Sequence, residues 1–387
     1  MCKINHSLSH FIVSARKYRP IRFEEVVGQE HVSLTLKNAL KTDHLAHAFL
    51  FCGPRGVGKT TCARILAKVI NCEQNAKEAE PCGECNSCKS FEKNASFNII
   101  ELDAASNNGV DHIRNLVEQT RVPPVAGQYK VFIIDEVHQL SSAAFNAFLK
   151  TLEEPPEHAI FILATTEKHK ILPTILSRCQ IYDFRRISVE DIVAQLKKIA
   201  EKEGIKAEDQ ALHVIAQKAD GGLRDALSIF DKMASMGNNV IEYQLVIDTL
   251  NVLDYTYFFD VVEHLVEERS GDVLVLFNTI LEKGFEGDWF MLGLGEHLRN
   301  LFMVKNPQTV ELLEVADVWK KKYVDQAGKI SLSFIVTALD LINQCDIQYK
   351  NAKNKRLHVE MALVKLTYFK RMYNAASAQA EGEKKNN

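Results

Sequence analysis

Between Ala46 and Phe184 short apolar runs alternate with longer segments in which apolar side chains recur at helical spacing. The runs are Ala48–Cys52, Asn98–Leu102, Lys130–Asp135, Ile160–Thr165 and Gln180–Phe184. They are nearly continuous in hydrophobicity, as strands buried on both faces require, and the segments between them predict helices over Thr60–Ile70, Val110–Arg121 and Ser142–Leu152. The pattern predicts an α/β domain on a parallel five-stranded sheet. Pro155 and Pro156 close the last of these helices, because proline lacks an amide donor and drives the residue before it out of the helical region.

After Arg186 the strand pattern stops. Ser188 followed by Asp191 has the form of a helix N-cap and opens the amphipathic run Ile192–Glu203. Helices over about Asp209–Ala219 and Leu223–Ser235 follow, punctuated by Gly221, Gly222 and Gly237, and an all-helical stretch runs from about Asp254 to Tyr373. This divides the chain into an α/β domain at 1–186, a helical domain at 187–252 and an all-α domain at 253–374. The small, polar segment 375–387 is expected to be a disordered tail. No internal repeat is evident.

Composition fits this division. A chain of 387 residues exceeds one ordinary core, and 46% hydrophobic with 25% charged residues is the balance of a globular protein. The formal charge of -3 gives no whole-molecule field that would draw the chain to DNA, so nucleic-acid contacts are left to local patches or partner chains. No apolar stretch approaches the ~20 residues of a membrane span, and Met1–Val13 lacks the apolar core and cleavage site of a signal peptide. A cytoplasmic protein without membrane contact is expected.

The chemistry enters at Gly53-Pro54-Arg55-Gly56-Val57-Gly58-Lys59-Thr60, which fits GxxxxGK[ST] between a strand and a helix. Its glycines let successive amides face phosphate groups, Lys59 neutralises β/γ charge, and the Thr60 hydroxyl can ligate Mg²⁺. ATP is the expected ligand. Val131–Glu136 delivers two carboxylates at the end of an apolar strand, a Walker B arrangement: Asp135 would hold the Mg²⁺ shell and Glu136 would orient the attacking water. Thr165 and Thr166 end the next strand, and either hydroxyl could touch the γ-phosphate or the water, or neither, as plain β-branched residues. Arg178 and Arg224 could stabilise transition-state charge, although an arginine in either setting, taken singly, is more often a surface ion-pair residue.

Four of the nine cysteines crowd together as Cys72, Cys82, Cys85 and Cys88, with Gly83 in the first tight turn. Four thiolates at this spacing suit one structural tetrahedral Zn²⁺, with an iron–sulfur cluster as the other occupant the same ligands could hold. The site would clip an insert at about 71–90.

These motifs in this order resemble the gamma/tau subunit family of bacterial DNA polymerase III, the clamp-loader ATPases. The resemblance is carried by Ala15–Pro20, Val26–Val32, Gly53–Thr61, the four cysteines, Glu101–Ser106, Ile134–His138, Leu149–His158, Leu176–Cys179 and Leu223–Ser228. It implies an AAA+ ATPase domain of RecA-like fold, a three-helix lid and a helical collar that assembles subunits into an asymmetric pentamer. By motif match it implies that Arg178 is an arginine finger for a neighbouring subunit's ATP, Arg224 the sensor 2 arginine and Thr166 sensor 1. It further implies that Thr61 belongs to the phosphate loop and that Tyr18, Arg19, Pro20 and Val27 wall the adenine side. Implied partners are delta and delta-prime type subunits, further copies of the chain, the β sliding clamp and primed DNA. The family's longer form tethers the replicative helicase and the polymerase core through a C-terminal extension; the chain ends at Asn387, so those contacts are expected only of a longer form. The expected role is an ATPase component of the polymerase holoenzyme, not the polymerase itself. Two alternatives are another AAA+ DNA-remodelling ATPase, in which a four-cysteine insert would be unexpected, and a non-hydrolysing scaffold subunit, which would be expected to lose Lys59 or the Walker B acids.

Overall fold

The computed structural model describes residues 12–42, 45–74, 79–93, 95–125, 127–313 and 315–384. They form two compact units, Met1–Ala207 with Val214–Val240 and Glu208–His213 with Ile241–Asn387.

In the first unit five strands, β1 (Ala48–Cys52), β2 (Ile99–Asp103), β3 (Lys130–Asp135), β4 (Ala159–Thr165) and β5 (Gln180–Asp183), form one sheet in the order β2-β3-β4-β1-β5. Every neighbouring pair is parallel. Side chains alternate between two buried faces. Phe49 and Phe51 join Val131, Ile133, Ile160 and Ile162 in a cluster with Leu36 of helix Glu30–Lys41 and Cys62 and Leu66 of helix Lys59–Ile70. Ala48, Leu50 and Cys52 join Phe132, Ile134, Phe161 and Leu163 with Ile113 and Leu116 of helix Val110–Thr120 and Phe145 and Phe148 of helix Ser142–Glu153. Each large apolar side chain so buried contributes about 1.5–3 kcal/mol, and in the central strands both faces collect it; this produces the unbroken apolar runs. The edge strands differ: β2 exposes Glu101, and β5 exposes Gln180, Ile181 and Asp183. Charge at an edge discourages pairing with another chain.

The sheet has the predicted strands, shifted by a residue at some ends. Helices Glu30–Lys41 and Asn86–Glu92 were not predicted, because each buries few residues: Val32, Ser33 and Leu36 in the first, Cys88 and Phe91 in the second. Three helices follow β5, at Val189–Glu203, Asp209–Lys218 and Leu223–Met236. The Ser188 hydroxyl accepts the Asp191 amide at 3.1 Å, the anticipated cap.

The second unit is helical, with helices Tyr243–Leu250, Tyr255–Val266, Ser270–Glu282, Gly287–Val304, Asp317–Lys329, Leu332–Tyr349 and Lys355–Lys384. Its core gathers Phe258, Phe277, Phe290, Leu294, Leu298, Tyr323 and Leu363. The boundary differs from the expected 252: the second unit takes up the chain again at Ile241, and Tyr243 packs against that unit's core with its ring 6.3 Å from Trp319. The expected disordered tail also differs. Helix Lys355–Lys384 continues through 375–384, since helical hydrogen bonds are local and this alanine-rich stretch favours them; residues 385–387 lie outside the described residues. Among the described residues no single helix is long and apolar enough to cross a membrane.

Candidate functional site

The loop between β1 and helix Lys59–Ile70 supplies the site's floor. Gly53, Gly56 and Gly58 all have positive φ, at 150°, 79° and 105°. At Gly53 the demand is also steric, because a Cβ there would sit 2.5 Å from the Phe184 carbonyl oxygen. Lys59 begins the helix, and its ammonium donates to the carbonyls of Gly53 at 2.7 Å and Pro54 at 2.6 Å. Burial holds the Lys59 pKa below its usual range, opposed by the carboxylates of Glu136 and Asp135.

The neighbouring strand ends complete the polar wall. Asp135 closes β3 and accepts the Thr60 hydroxyl on Oδ2 at 2.7 Å, while its Oδ1 accepts the Glu136 amide at 2.9 Å. Glu136 adopts the left-handed conformation, φ 48°, uncommon for a residue with a side chain. Its Oε2 accepts both the amide of Thr166 at 3.3 Å and its hydroxyl at 3.0 Å. Thr165 is fully buried and faces His138 instead, 3.0 Å from its Nδ1.

These residues border a cavity of about 440 Å³ within the first unit. Of the predicted residues, Arg55, Gly56, Val57, Gly58, Lys59, Thr60, Thr61, Asp135, Glu136, Tyr18, Arg19, Pro20, Val27 and Arg224 line it. Gly53 and Pro54 contribute through their carbonyls to Lys59, and Thr166 through Glu136. Arg178 stands elsewhere: its guanidinium donates to the Thr174 carbonyl at 2.7 Å and to Glu153 at 2.8 Å, and it is absent from the cavity lining. Arg224 reaches the site because the loop docks on the third helix of the following trio, where a Cβ on Gly56 would meet Gly222 Cα at 3.2 Å. Burial lowers the Arg19 pKa, and the nearby Arg64 and Arg224 lower it further, so positive charge is concentrated on this side of the cavity. A cationic, amide-rich cavity that also carries the carboxylates of Asp103, Asp135 and Glu136 is suited to a polyphosphate with its divalent cation.

Sequence reasoning missed Asp103, Ala105, Ile187, Leu223 and Leu227, which also line the cavity. Asp103 was the most accessible of these: it ends β2 in register with Asp135, and ligands gather at the carboxyl ends of parallel strands.

The four cysteines of the insert come together, with all Sγ atoms within 4.8 Å of one another. Backbone amides point at the sulfurs: Cys85 N to Cys82 Sγ at 3.3 Å, Cys88 N to Cys85 Sγ at 3.4 Å and Cys82 N to Cys72 Sγ at 3.5 Å. The amide of Cys85 foremost brings the Cys82 thiol down to about 7, whereas burial raises Cys72 and Cys88. Gly83, φ 75°, makes the turn between the first pair. Four sulfurs in reach of one centre with amides stabilising thiolate charge fit a tetrahedral Zn²⁺. Phe91, one turn beyond Cys88, anchors the insert in the sheet's core.

Three family models match the chain in succession. The first, described as DNA polymerase III, delta subunit, covers residues 28–212. The ATPase lid domain of the DNA polymerase III clamp loader subunit covers 191–239, and domain III of DNA polymerase III subunits gamma and tau covers 241–379. Among curated relatives, DNA polymerase III subunit tau of Bacillus subtilis is 42% identical over 91% of this chain and 62% of its own length. DNA polymerase III subunit tau of Escherichia coli is 39% identical over 92% of this chain and 55% of its own. DNA polymerase III subunit gamma of Buchnera aphidicola is 37% identical over 92% of this chain and 99% of its own. The chain thus spans little more than half the length of the two tau subunits and nearly all of the gamma subunit.

Proposed function

Because the chain belongs to the gamma/tau subunit family of DNA polymerase III, we propose that it is an ATP-driven motor subunit of a clamp loader, placing a β sliding clamp on primed DNA during replication. The observation that carries this reading is the meeting of the phosphate loop, the Walker B strand and the following helices in one cavity, with Lys59, Asp135 and Arg224 all on its wall.

In this reading the loop amides and Lys59 bind the phosphates, Arg224 senses the nucleotide from the lid, and Tyr18, Arg19 and Val27 bound the base side. Thr60 and Asp135 would hold Mg²⁺, which when bound neutralises charge building between the β- and γ-phosphates. Glu136 orients the attacking water, and Thr166, already bonded to Glu136, reports the γ-phosphate. Arg178, half-buried, paired with Glu153 and away from its own cavity, would complete a neighbour's site by exchanging that surface pair for the neighbour's phosphates. The cysteine cluster takes a structural Zn²⁺ through Cys72, Cys82, Cys85 and Cys88. Partner subunits of delta and delta-prime type, further copies of this chain, the clamp and primed DNA follow from the family, as does a cytoplasmic location. ATP drives loading by binding the clamp-competent assembly more tightly than the resting one.

The test is ATPase activity of the chain alone and with partner subunits, clamp and primed DNA. Strong joint stimulation is expected. Turnover indifferent to clamp and DNA would point to a different AAA+ motor, and no turnover under any condition to a scaffold.

A further inference from the structure

His138 lies two residues beyond the Walker B aspartate-glutamate pair, in the single turn Val137–Gln139. Its side chain is 3% exposed, yet its neighbours are polar. Nδ1 is 3.0 Å from Thr165 Oγ1 and 3.4 Å from Glu136 Oε2. Nε2 is 2.9 Å from the Gln139 side-chain Nε2 and 3.3 Å from Glu167 Oε1. Thr165 Oγ1 in turn accepts the Glu167 amide at 3.0 Å. One ring therefore ties the end of β3 to the end of β4 and to the turn that leaves β4.

Apolar packing does not require an imidazole here: Val137, beside it, is fully buried in the core cluster under the sheet. A buried ring that satisfies a hydroxyl and borders two carboxylates fixes geometry as well as filling space. What it fixes is the pair that matters for hydrolysis. Glu136 Oε2 is held by Thr166 and also approached by His138 Nδ1, and Glu136 itself sits in a left-handed backbone conformation that its surroundings must maintain. His138 is not among the residues that line the nucleotide cavity, and of its neighbours Glu136 is the one that does.

We propose that His138 is a positioning residue for ATP hydrolysis, which locks the Thr165–Glu167 turn to the Walker B strand and thereby sets where the Glu136 carboxylate points. The inference rests on the ATPase reading above. Positioning groups act on the chemical step: ATP binds the phosphate loop as before, while misalignment of the water-orienting carboxylate lowers turnover.

The experiment compares the wild-type chain, His138→Ala, His138→Asn and Thr165→Val for ATP binding, steady-state hydrolysis under stimulating conditions and thermal unfolding. His138→Ala is expected to reduce kcat by about 10- to 100-fold while KM and the ATP dissociation constant change less than about 3-fold. His138→Asn, whose amide can replace the Nδ1 contact with Thr165, should recover most of that loss. The double variant His138→Ala, Thr165→Val should be no worse than the poorer single one, since both cut the same link. Unchanged kcat in His138→Ala, affinity and kcat falling together, or no recovery by asparagine would each overturn the proposal. If His138→Ala does not fold, Thr165→Val alone decides by the same kcat and affinity criteria. A wild type that hydrolyses no ATP overturns the ATPase reading and this inference with it, whereas a hydrolysing wild type matched by His138→Ala removes only this inference.

Discussion

The Thr60 hydroxyl donates to Asp135 Oδ2 across 2.7 Å, joining the head of the phosphate-loop helix to the end of a strand 75 positions later. The two oxygens are thus already held as neighbours, the arrangement that two ligands of one Mg²⁺ need. Thr60→Ala and Asp135→Asn are expected to leave metal-free ATP binding nearly unchanged. Each should remove the tightening that Mg²⁺ provides, a loss of roughly 10- to 100-fold if each contributes about 1.5–3 kcal/mol. Nucleotide titrations with Mg²⁺ and with EDTA check this, and equal Mg²⁺ dependence in all three proteins would refute the pairing.

The cysteine cluster predicts about one zinc per chain by metal analysis. Cys88, buried at the start of the helix that carries Phe91 into the core, is the ligand whose loss should spread furthest. Cys88→Ser should lower both zinc content and unfolding temperature. Iron with visible charge-transfer absorption in the purified protein would replace zinc by an iron–sulfur cluster.

Substitution of Arg178 is expected to separate binding from turnover. Its bond to Glu153 is a surface ion pair with the arginine side chain 33% exposed, worth about 0–1 kcal/mol, so Arg178→Ala should unfold at nearly the wild-type temperature. ATP affinity should also hold. Stimulated hydrolysis in the assembled complex should fall by about 10³-fold or more, and normal stimulated turnover would rule out a finger role.

His297 makes the helical unit sensitive to acid. It is 1% exposed and bonded to Tyr323 at 3.0 Å and Gln326 at 2.9 Å, and burial lowers its pKa to about 4. The folded pKa lies below the unfolded value of about 6.5, so the neutral ring's stability is fully present above about pH 6.5 and is lost as pH falls toward 4. Between pH 7.5 and 5 the cost is about 2 kcal/mol. Both tryptophans, Trp289 and Trp319, belong to this unit, so urea unfolding followed by their fluorescence isolates it. A His297→Phe variant should lose this pH slope, and an unaltered slope would assign the acid sensitivity elsewhere.

Local pattern and spacing made the five strands legible, because a central strand buried on both faces must be apolar at successive positions. Spacing also singled out the loop at Gly53–Thr60, the carboxylates Asp135 and Glu136, and the four cysteines as candidates, since a phosphate-binding loop or a four-thiolate metal site would constrain residue type over a short reach. Helix Glu30–Lys41 escaped notice because it buries only Val32, Ser33 and Leu36. The continuation of the last helix to Lys384 escaped too, since a polar, alanine-rich segment looks the same whether helical or not. Only the tertiary structure decided what long-range packing brings together: Asp103 beside Asp135, Arg224 beside the phosphate loop, and Arg178 away from it. The same holds for the contacts of Thr165 and Thr166, which composition and spacing left equivalent and the family resemblance alone distinguished. Thr165 closes β4 and Thr166 begins the turn beyond it, so one hydroxyl meets His138 and the other Glu136, a difference that two identical side chains do not encode.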